Sequence, residues 1–104
     1  MSQASLIKRI EQELTKIIES TEQVERLLKK VQLSGDLDYI GTIALHLHSF
    51  YHGVEHIFLG VAKSIDNSVP AGEDWHRQLL IQMTLPLPSV RPALIKEQTY
   101  QTLS

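Results

Sequence analysis

Imidazoles and carboxylates capable of chemistry crowd one stretch of the chain, where His46, His48, His52, Glu55 and His56 follow one another closely. His48, His52 and His56 recur every fourth residue, so on a helix they lie along one side. Pairs of histidines at that spacing can chelate zinc, but a useful site needs a third or fourth ligand from another element. His76 is the only other histidine. The metal reading therefore stays a runner-up, with His48, His52 and His56 as weak candidates, and no cofactor is expected. Ser49 beside His48 and His52 is not a nucleophile–base pair, because neighbours on a helix point apart and activation needs hydrogen-bond reach. The chain has no cysteine, which removes thiolate ligands, Cys nucleophiles and disulfides. It also has no glycine-rich phosphate loop. Arg77 and Arg91 are the positive residues near loops. Arg91 has the chemistry to touch a phosphate or a partner carboxylate, and its plainest reading is an exposed arginine ahead of a helix. No residue is assigned a catalytic role.

The elements that carry these side chains are helical. Ile7, Ile10, Leu14, Ile17, Thr21, Val24, Leu28 and Val31 alternate steps of three and four, which sets one apolar stripe along a long first helix. Leu6, Ile18 and Leu27 widen it, favouring a globular bundle over a bare coiled coil. Thr21 fits that stripe if its hydroxyl bonds back to the preceding turn. Gly35 is a left-handed stop, and Asp36 or Asp38 can cap a second helix. That helix has the stripe Ile40, Ile43, Leu47, Phe50, Val54, Ile57 and Val61, widened by Ala44, Tyr51, Phe58 and Ile65. A link of a few residues at 34–36 predicts that the two long helices fold back as an antiparallel pair. Gly53 and Gly60, seven apart, point to close approach of another backbone, since glycine inside a helix is disfavoured. Leu45, His52 and Leu59 form a row outside the main stripe and suggest a second contact surface, most simply a homodimer seam.

Asp66-Asn67-Ser68 ends the second helix and Val69-Pro70-Ala71-Gly72 makes a loop. Glu73-Asp74 then caps a short third helix from Trp75 to about Met83, with Leu79, Leu80 and Met83 inward and Trp75 packed in a core or interface. Leu85-Pro86-Leu87-Pro88 is extended. Ser89 is the expected cap, and Pro92 the first turn, of a fourth helix carrying Leu94, Ile95, Tyr100 and Leu103.

The chain has 104 residues and a net charge of −2, enough for one domain that dimerisation would help stabilise. Residues 1–34 carry six Lys/Arg against five Glu, residues 35–70 one Lys against four Asp/Glu, and the remainder balances at three each. No basic stripe of the kind that coats nucleic acid is visible. No segment has the roughly 18 consecutive apolar residues of a membrane span, and the amino terminus turns charged too early for a signal peptide. A cytoplasmic protein is expected.

The Tyr51–Phe58 segment YHGVEHIF, the loop SVPAGEDWHRQLL, and the Arg91-Pro92 turn into a last helix resemble the HepT-like branch of the HEPN superfamily, with the likeness running over nearly the whole chain. The loop with Trp75-His76 is its most specific part. Members are small all-helical ribonuclease toxins, usually paired with a minimal nucleotidyltransferase antitoxin. The resemblance implies dimers with an RNA-cutting site between protomers and metal-independent acid–base cleavage. The family's motif is Arg, four to six residues, then His, often with a Tyr that the partner modifies with AMP. None of the three can be placed here. The last histidine is His76, no His follows Arg91, and Tyr100 has no Arg and His before it at the required spacing.

The expectation is therefore an all-α, antiparallel four-helix bundle of two long and two short helices, a single dimeric HepT-like domain over residues 1–104, apparently cut short in the last helix. As written it is catalytically silent and acts by dimerising and binding a nucleotidyltransferase partner. Its candidate pocket or interface residues are Leu45, His48, Tyr51, His52, Glu55, Leu59, Trp75 and Arg91. The alternatives are the amino-terminal part of an active RNA-cleaving toxin, the only setting in which an RNA partner is expected, or a His-rich metal-binding bundle.

Overall fold

A computed structural model describes residues 2–104. Among them run four α-helices and no strand: α1 (Gln3–Ser34), α2 (Tyr39–Val61), α3 (Trp75–Thr84) and α4 (Glu97–Leu103). A wide π turn, Ala62–Asp66, continues from the end of α2. Ile7–His56 forms one compact unit, and Ile57–Ser104 with the residues before Ile7 forms another. No described helix is long and apolar enough to cross a membrane.

α1 is long because nothing inside it breaks a helix: no Gly or Pro occurs before Gly35. The Ser2 hydroxyl accepts the Ser5 N–H at 3.1 Å and so caps the start. At the other end Gly35 takes φ 71° and donates its N–H to the Val31 carbonyl at 2.7 Å, the left-handed stop expected of it. Asp38 N–H bonds to Asp36 Oδ1 at 2.9 Å, an Asx turn that leads into α2.

Within the Ile7–His56 unit, the buried stripe of α1 keeps Ile10, Ile17, Val24 and Val31 of the expected one and leans toward Glu13, Ser20 and Leu27 on one side of it. Ile10, Glu13, Ile17, Ser20, Val24, Leu27 and Val31 are buried or half-buried, whereas Ile7, Leu14, Ile18, Thr21 and Leu28 are exposed. The stripe is wider than the face a single partner helix can cover. The helix turns so that Ile17 meets Gly53, where a Cβ would stand 2.7 Å from Ile17 Cγ1. Gly53 thus makes room for a side chain rather than for a backbone. Gly60, in the other unit, does the same for Leu6 Cδ1, which an added Cβ would approach to 3.1 Å. Thr21 Oγ1 bonds back to the Ile17 carbonyl at 2.6 Å, as its chemistry predicts, but from an exposed position. On α2, Ile43, Phe50 and Gly53 turn inward, and Ile40 and Leu47 stay exposed. Ser20, Thr21, Val24, Leu47 and Phe50 together line a shallow apolar depression of about 110 Å3.

The second unit is built from shorter pieces. Phe58, Val61, Ala62, Leu79 and Met83 are buried, and Leu80 is half-buried. The fourth helix differs from expectation. Neither Ser89 nor Pro92 starts it, and α4 begins only at Glu97. Ser89 instead adopts φ 64° at the third position of a turn closed by Val90 N–H to the Leu87 carbonyl at 2.9 Å. A proline at the second position and positive φ at the third mark a type II arrangement. Leu87 and Arg91 exchange both backbone bonds at 2.9 Å, and the N–H groups of Leu94 and Ile95 reach the Met83 carbonyl at 2.9 and 3.2 Å. The N–H groups of Leu94 and Ile95, committed to Met83, are thereby taken from any helix starting at Ser89 or Pro92. Asp74 holds the N-cap position of α3 without a capping side-chain bond; its carboxylate accepts the Gln78 amide at 3.2 Å.

Candidate functional site

The densest polar arrangement in the second unit centres on Arg91. The π turn carries Asp66 at its end, where Asn67 at φ 54° closes the helix. The Pro86–Pro88 turn brings Arg91 back toward it. Arg91 Nε donates to Asp66 Oδ1 at 2.6 Å and Nη2 to Asp66 Oδ2 at 2.6 Å, a two-pronged guanidinium–carboxylate fork. Nη1 donates to the carbonyls of Leu85 and Pro92, both at 2.9 Å, and Nη2 reaches the Gln82 carbonyl at 3.4 Å. Gln82 Nε2 donates to Asp66 Oδ2 at 2.8 Å and to the Ser68 carbonyl at 2.9 Å. Only 6% of the Arg91 side chain and 2% of the Asp66 side chain remain exposed.

The Arg91 hydrogen bonds hold the Asp66 carboxyl below its ordinary range against the opposing effect of burial, with Gln82 assisting. Asp66 in turn keeps Arg91 charged more firmly than usual. A cleft of about 380 Å3 borders the fork, with Pro70, Ile81, Leu85 and Leu87 against Asp66 and Gln82. The arrangement is built to hold a loop rather than to react, because both charges are paired and every strong donor of Arg91 points at an acceptor inside the protein. Arg91 is therefore neither exposed nor poised for a phosphate or a partner. The sequence reading placed it ahead of a helix that does not start there, and it missed Asp66 and Gln82. An arginine set among three prolines, where helical hydrogen bonds fail, was the one available hint that its side chain must find carbonyl and carboxylate partners elsewhere.

The remaining candidates are on α2 and at the start of α3. Leu45, His48, Tyr51, His52, Glu55 and Leu59 fall along one side of α2; Leu45 is 68% exposed, and His48, Tyr51 and His52 are exposed as well. The His48 and His52 rings meet edge-on with centroids 4.4 Å apart, and His52 and His56 at 6.0 Å. His56 Nδ1 stands 3.6 Å from Glu13 Oε1. Among the described residues no three His, Cys, Asp or Glu are grouped to hold a metal ion. Trp75 is half-buried, and its indole lies over the His76 imidazole with centroids 3.5 Å apart. A larger cleft, about 570 Å3, lies between α3 and α4, lined by His76, Arg77, Leu80, Tyr100 and Leu103 among others.

In comparison with known families, a family model described as HepT-like protein matches residues 42–104, more than half the chain. The chain belongs to the HepT-like proteins. No curated protein and no solved structure matches it. The match in this HepT-like chain takes in α2 from Thr42 onward, the π turn, the Trp75 loop, the Arg91 fork and the α3/α4 cleft. α1 lies outside it, so the likeness is narrower than the near-complete one the motifs implied.

Proposed function

We propose that this HepT-like chain is a toxin–antitoxin-type module of ribonuclease ancestry that does not cut RNA, and that it works by forming a homodimer and binding a nucleotidyltransferase-type partner in the cytoplasm. Membership of the family carries this reading, together with Lys96, Glu97 and Gln98 standing where a histidine four to six residues beyond Arg91 would fall. Arg91, the arginine nearest the family's motif region, is already committed to Asp66. Within each protomer the helices form an antiparallel four-helix bundle. The contacts of Glu13 with His56, of Ile17 with Gly53 and of Lys30 with Tyr39 support that direction for the long pair.

The dimer seam uses the apolar row that α1 leaves outside, Ile7, Leu14 and Leu28, with Ile40 and Leu47 of α2. All five are exposed, and contiguous exposed apolar surface marks interaction sites. The Leu45/His52/Leu59 side of α2, the seam that the spacing suggested, goes instead to the heterologous partner, because Leu59 is half-buried and the row exposes a single large apolar side chain, Leu45. Sedimentation equilibrium tests the pair of assignments. The wild type sediments as a dimer and Leu14→Glu/Leu47→Glu as a folded monomer, while Leu45→Glu/His52→Glu remains dimeric and loses co-elution with a co-expressed nucleotidyltransferase-type protein. A monomeric wild type, or RNA cleavage by the purified chain, sinks the proposal.

A further inference from the structure

His48, His52 and His56 stand about one turn apart along α2, all three exposed and all within the Ile7–His56 unit. Their rings follow one another: His48 meets His52 edge-on with centroids 4.4 Å apart, and His52 meets His56 at 6.0 Å. Two imidazoles that share one tetrahedral zinc ion, at Zn–N distances of about 2.0–2.1 Å, have ring centres about 5 Å apart. The two observed separations straddle that value. A small change of side-chain torsion, with no movement of the helix, therefore closes either pair on an ion. His48 and His56 are separated by about 12 Å along the helix axis, too far to share one. His52 is common to both pairs, so the row holds one ion at a time.

The surroundings suit a cation. Glu13 Oε1 on α1 stands 3.6 Å from His56 Nδ1, and the Glu13 side chain is only 14% exposed. A carboxylate in that position favours the proton on Nδ1 and leaves the Nε2 lone pair for an ion, which is how outer carboxylates support metal-bound histidines. Lys16, 3.9 Å from the same oxygen, is a mostly exposed and weaker competitor for it. Residues 35–70 carry one Lys against four Asp/Glu, a local sign that attracts positive charge.

We propose that the histidine row of α2 is a zinc site of two imidazoles, His52 with either His48 or His56, whose remaining positions open outward. Two protein ligands leave those positions to water or to an incoming donor, so the site needs no third His, Cys, Asp or Glu beside it. It belongs to the single chain and rests neither on the dimer seam nor on a nucleotidyltransferase-type partner.

The test is a zinc titration of the chelator-treated whole chain, read by calorimetry and by the 1H–13C signals of the histidine rings. One ion per chain is expected, with shifts at the rings of His48, His52 and His56 and none at His46 or His76. His52→Ala takes a ligand from both pairs and should weaken binding at least about a hundredfold, since even the outer partners of a metal ligand are worth roughly tenfold to a hundredfold. His48→Ala and His56→Ala each leave one pair intact and should cost far less, whereas the double variant His48→Ala/His56→Ala should match His52→Ala. In the His48→Ala background, Glu13→Gln should weaken binding by about tenfold. Alanine at exposed helix positions keeps the helix, and the wild-type ring signals are read without any variant. Binding that survives His52→Ala, or shifts confined to His46 or His76, would overturn the site. Two ions per chain, or a loss in His48→Ala as large as in His52→Ala, would overturn the shared ligand. A wild type that binds zinc no more tightly than the variant lacking all three histidines would overturn both.

Discussion

Ile7–His56 and Ile57–Ser104 are held together by different physics. In the first, two long helices meet along rows of apolar side chains, and the closest fit is a methylene group of Ile17 against the bare α-carbon of Gly53. In the second, short helices and turns converge on a buried ion pair whose two sequence partners are 25 residues apart. Apolar packing is spread over many small contacts and tolerates substitution that preserves volume. A buried fork concentrates its effect in two side chains, and removing either one strands the other's charge.

That contrast can be broken at the fork first. Arg91→Ala or Asp66→Ala should each destabilise by about 3 kcal/mol, since an uncompensated buried charge remains, and lower the melting temperature by roughly 10 °C or more. Calorimetry of the single variants and of Arg91→Met/Asp66→Leu checks it. The double variant should recover most of the loss, because an apolar pair of similar volume leaves no charge behind. The acid limb sharpens the point. Asp66 titrates below its ordinary 3.8 in the folded chain, so its contribution is complete above that value and disappears as pH falls through the lower folded one. Melting temperature against pH should therefore drop steeply only below about pH 4, and the drop should be shallower in Asp66→Asn.

Next in size is the glycine contact in the other unit. Gly53→Ala should destabilise by about 1–2 kcal/mol, the strain of overpacking against Ile17 being only partly offset by alanine's better helix propensity. Gly41→Ala, with nothing within 4 Å of the added Cβ, should instead stabilise by about 0.5–1 kcal/mol. Urea melts of the two variants decide this, and equal signs would mean that Gly53 is not a packing notch. The smallest effect belongs to Ser89→Gly, which relieves a left-handed serine and should stabilise by about 0.5–1 kcal/mol, read from the same melts.

How far the sequence could be read follows the same division. Helix existence in the long pair was legible, because apolar spacing and the Gly35 stop act locally. Ile10, Ile17, Val24 and Val31 of the expected row do face inward, while Ile7, Leu14, Thr21 and Leu28 do not, because a stripe wide enough for two partners does not say which edge faces inward. Gly53 was recognised as a place of close approach, but the kind of group approaching depends on the facing helix. In the second unit the loop, Trp75 and the inward Leu79 and Met83 were legible. The fourth helix was placed too early, since Ser-x-x-Pro reads equally as a cap or as a turn, and long-range bonds to Met83 decide between them. The candidate site fared worst. Arg91's partner is a carboxylate at the end of a different helix, and nothing local announces such a pairing. The cleft that Arg77 and Tyr100 both line depends on how α3 and α4 face each other, which no spacing within either helix contains.

The π turn has one further meaning. Residues 62–66 wind more loosely than an α turn, with the Asn67 N–H reaching the Ala62 carbonyl five residues back. The angular phase of the chain is therefore reset between Val61 and Asn67. Everything upstream keeps its face toward its own partner, and Asp66 is aimed by a separate clock. Such a bulge is what a helix looks like after accommodating one residue too many. It makes the position sensitive to length in a way that substitutions there would not reveal: adding one more residue between Ala62 and Ile65, with the bulge already used, would swing Asp66 about 100° around the axis and unlatch Arg91 without altering any of the atoms that bind it.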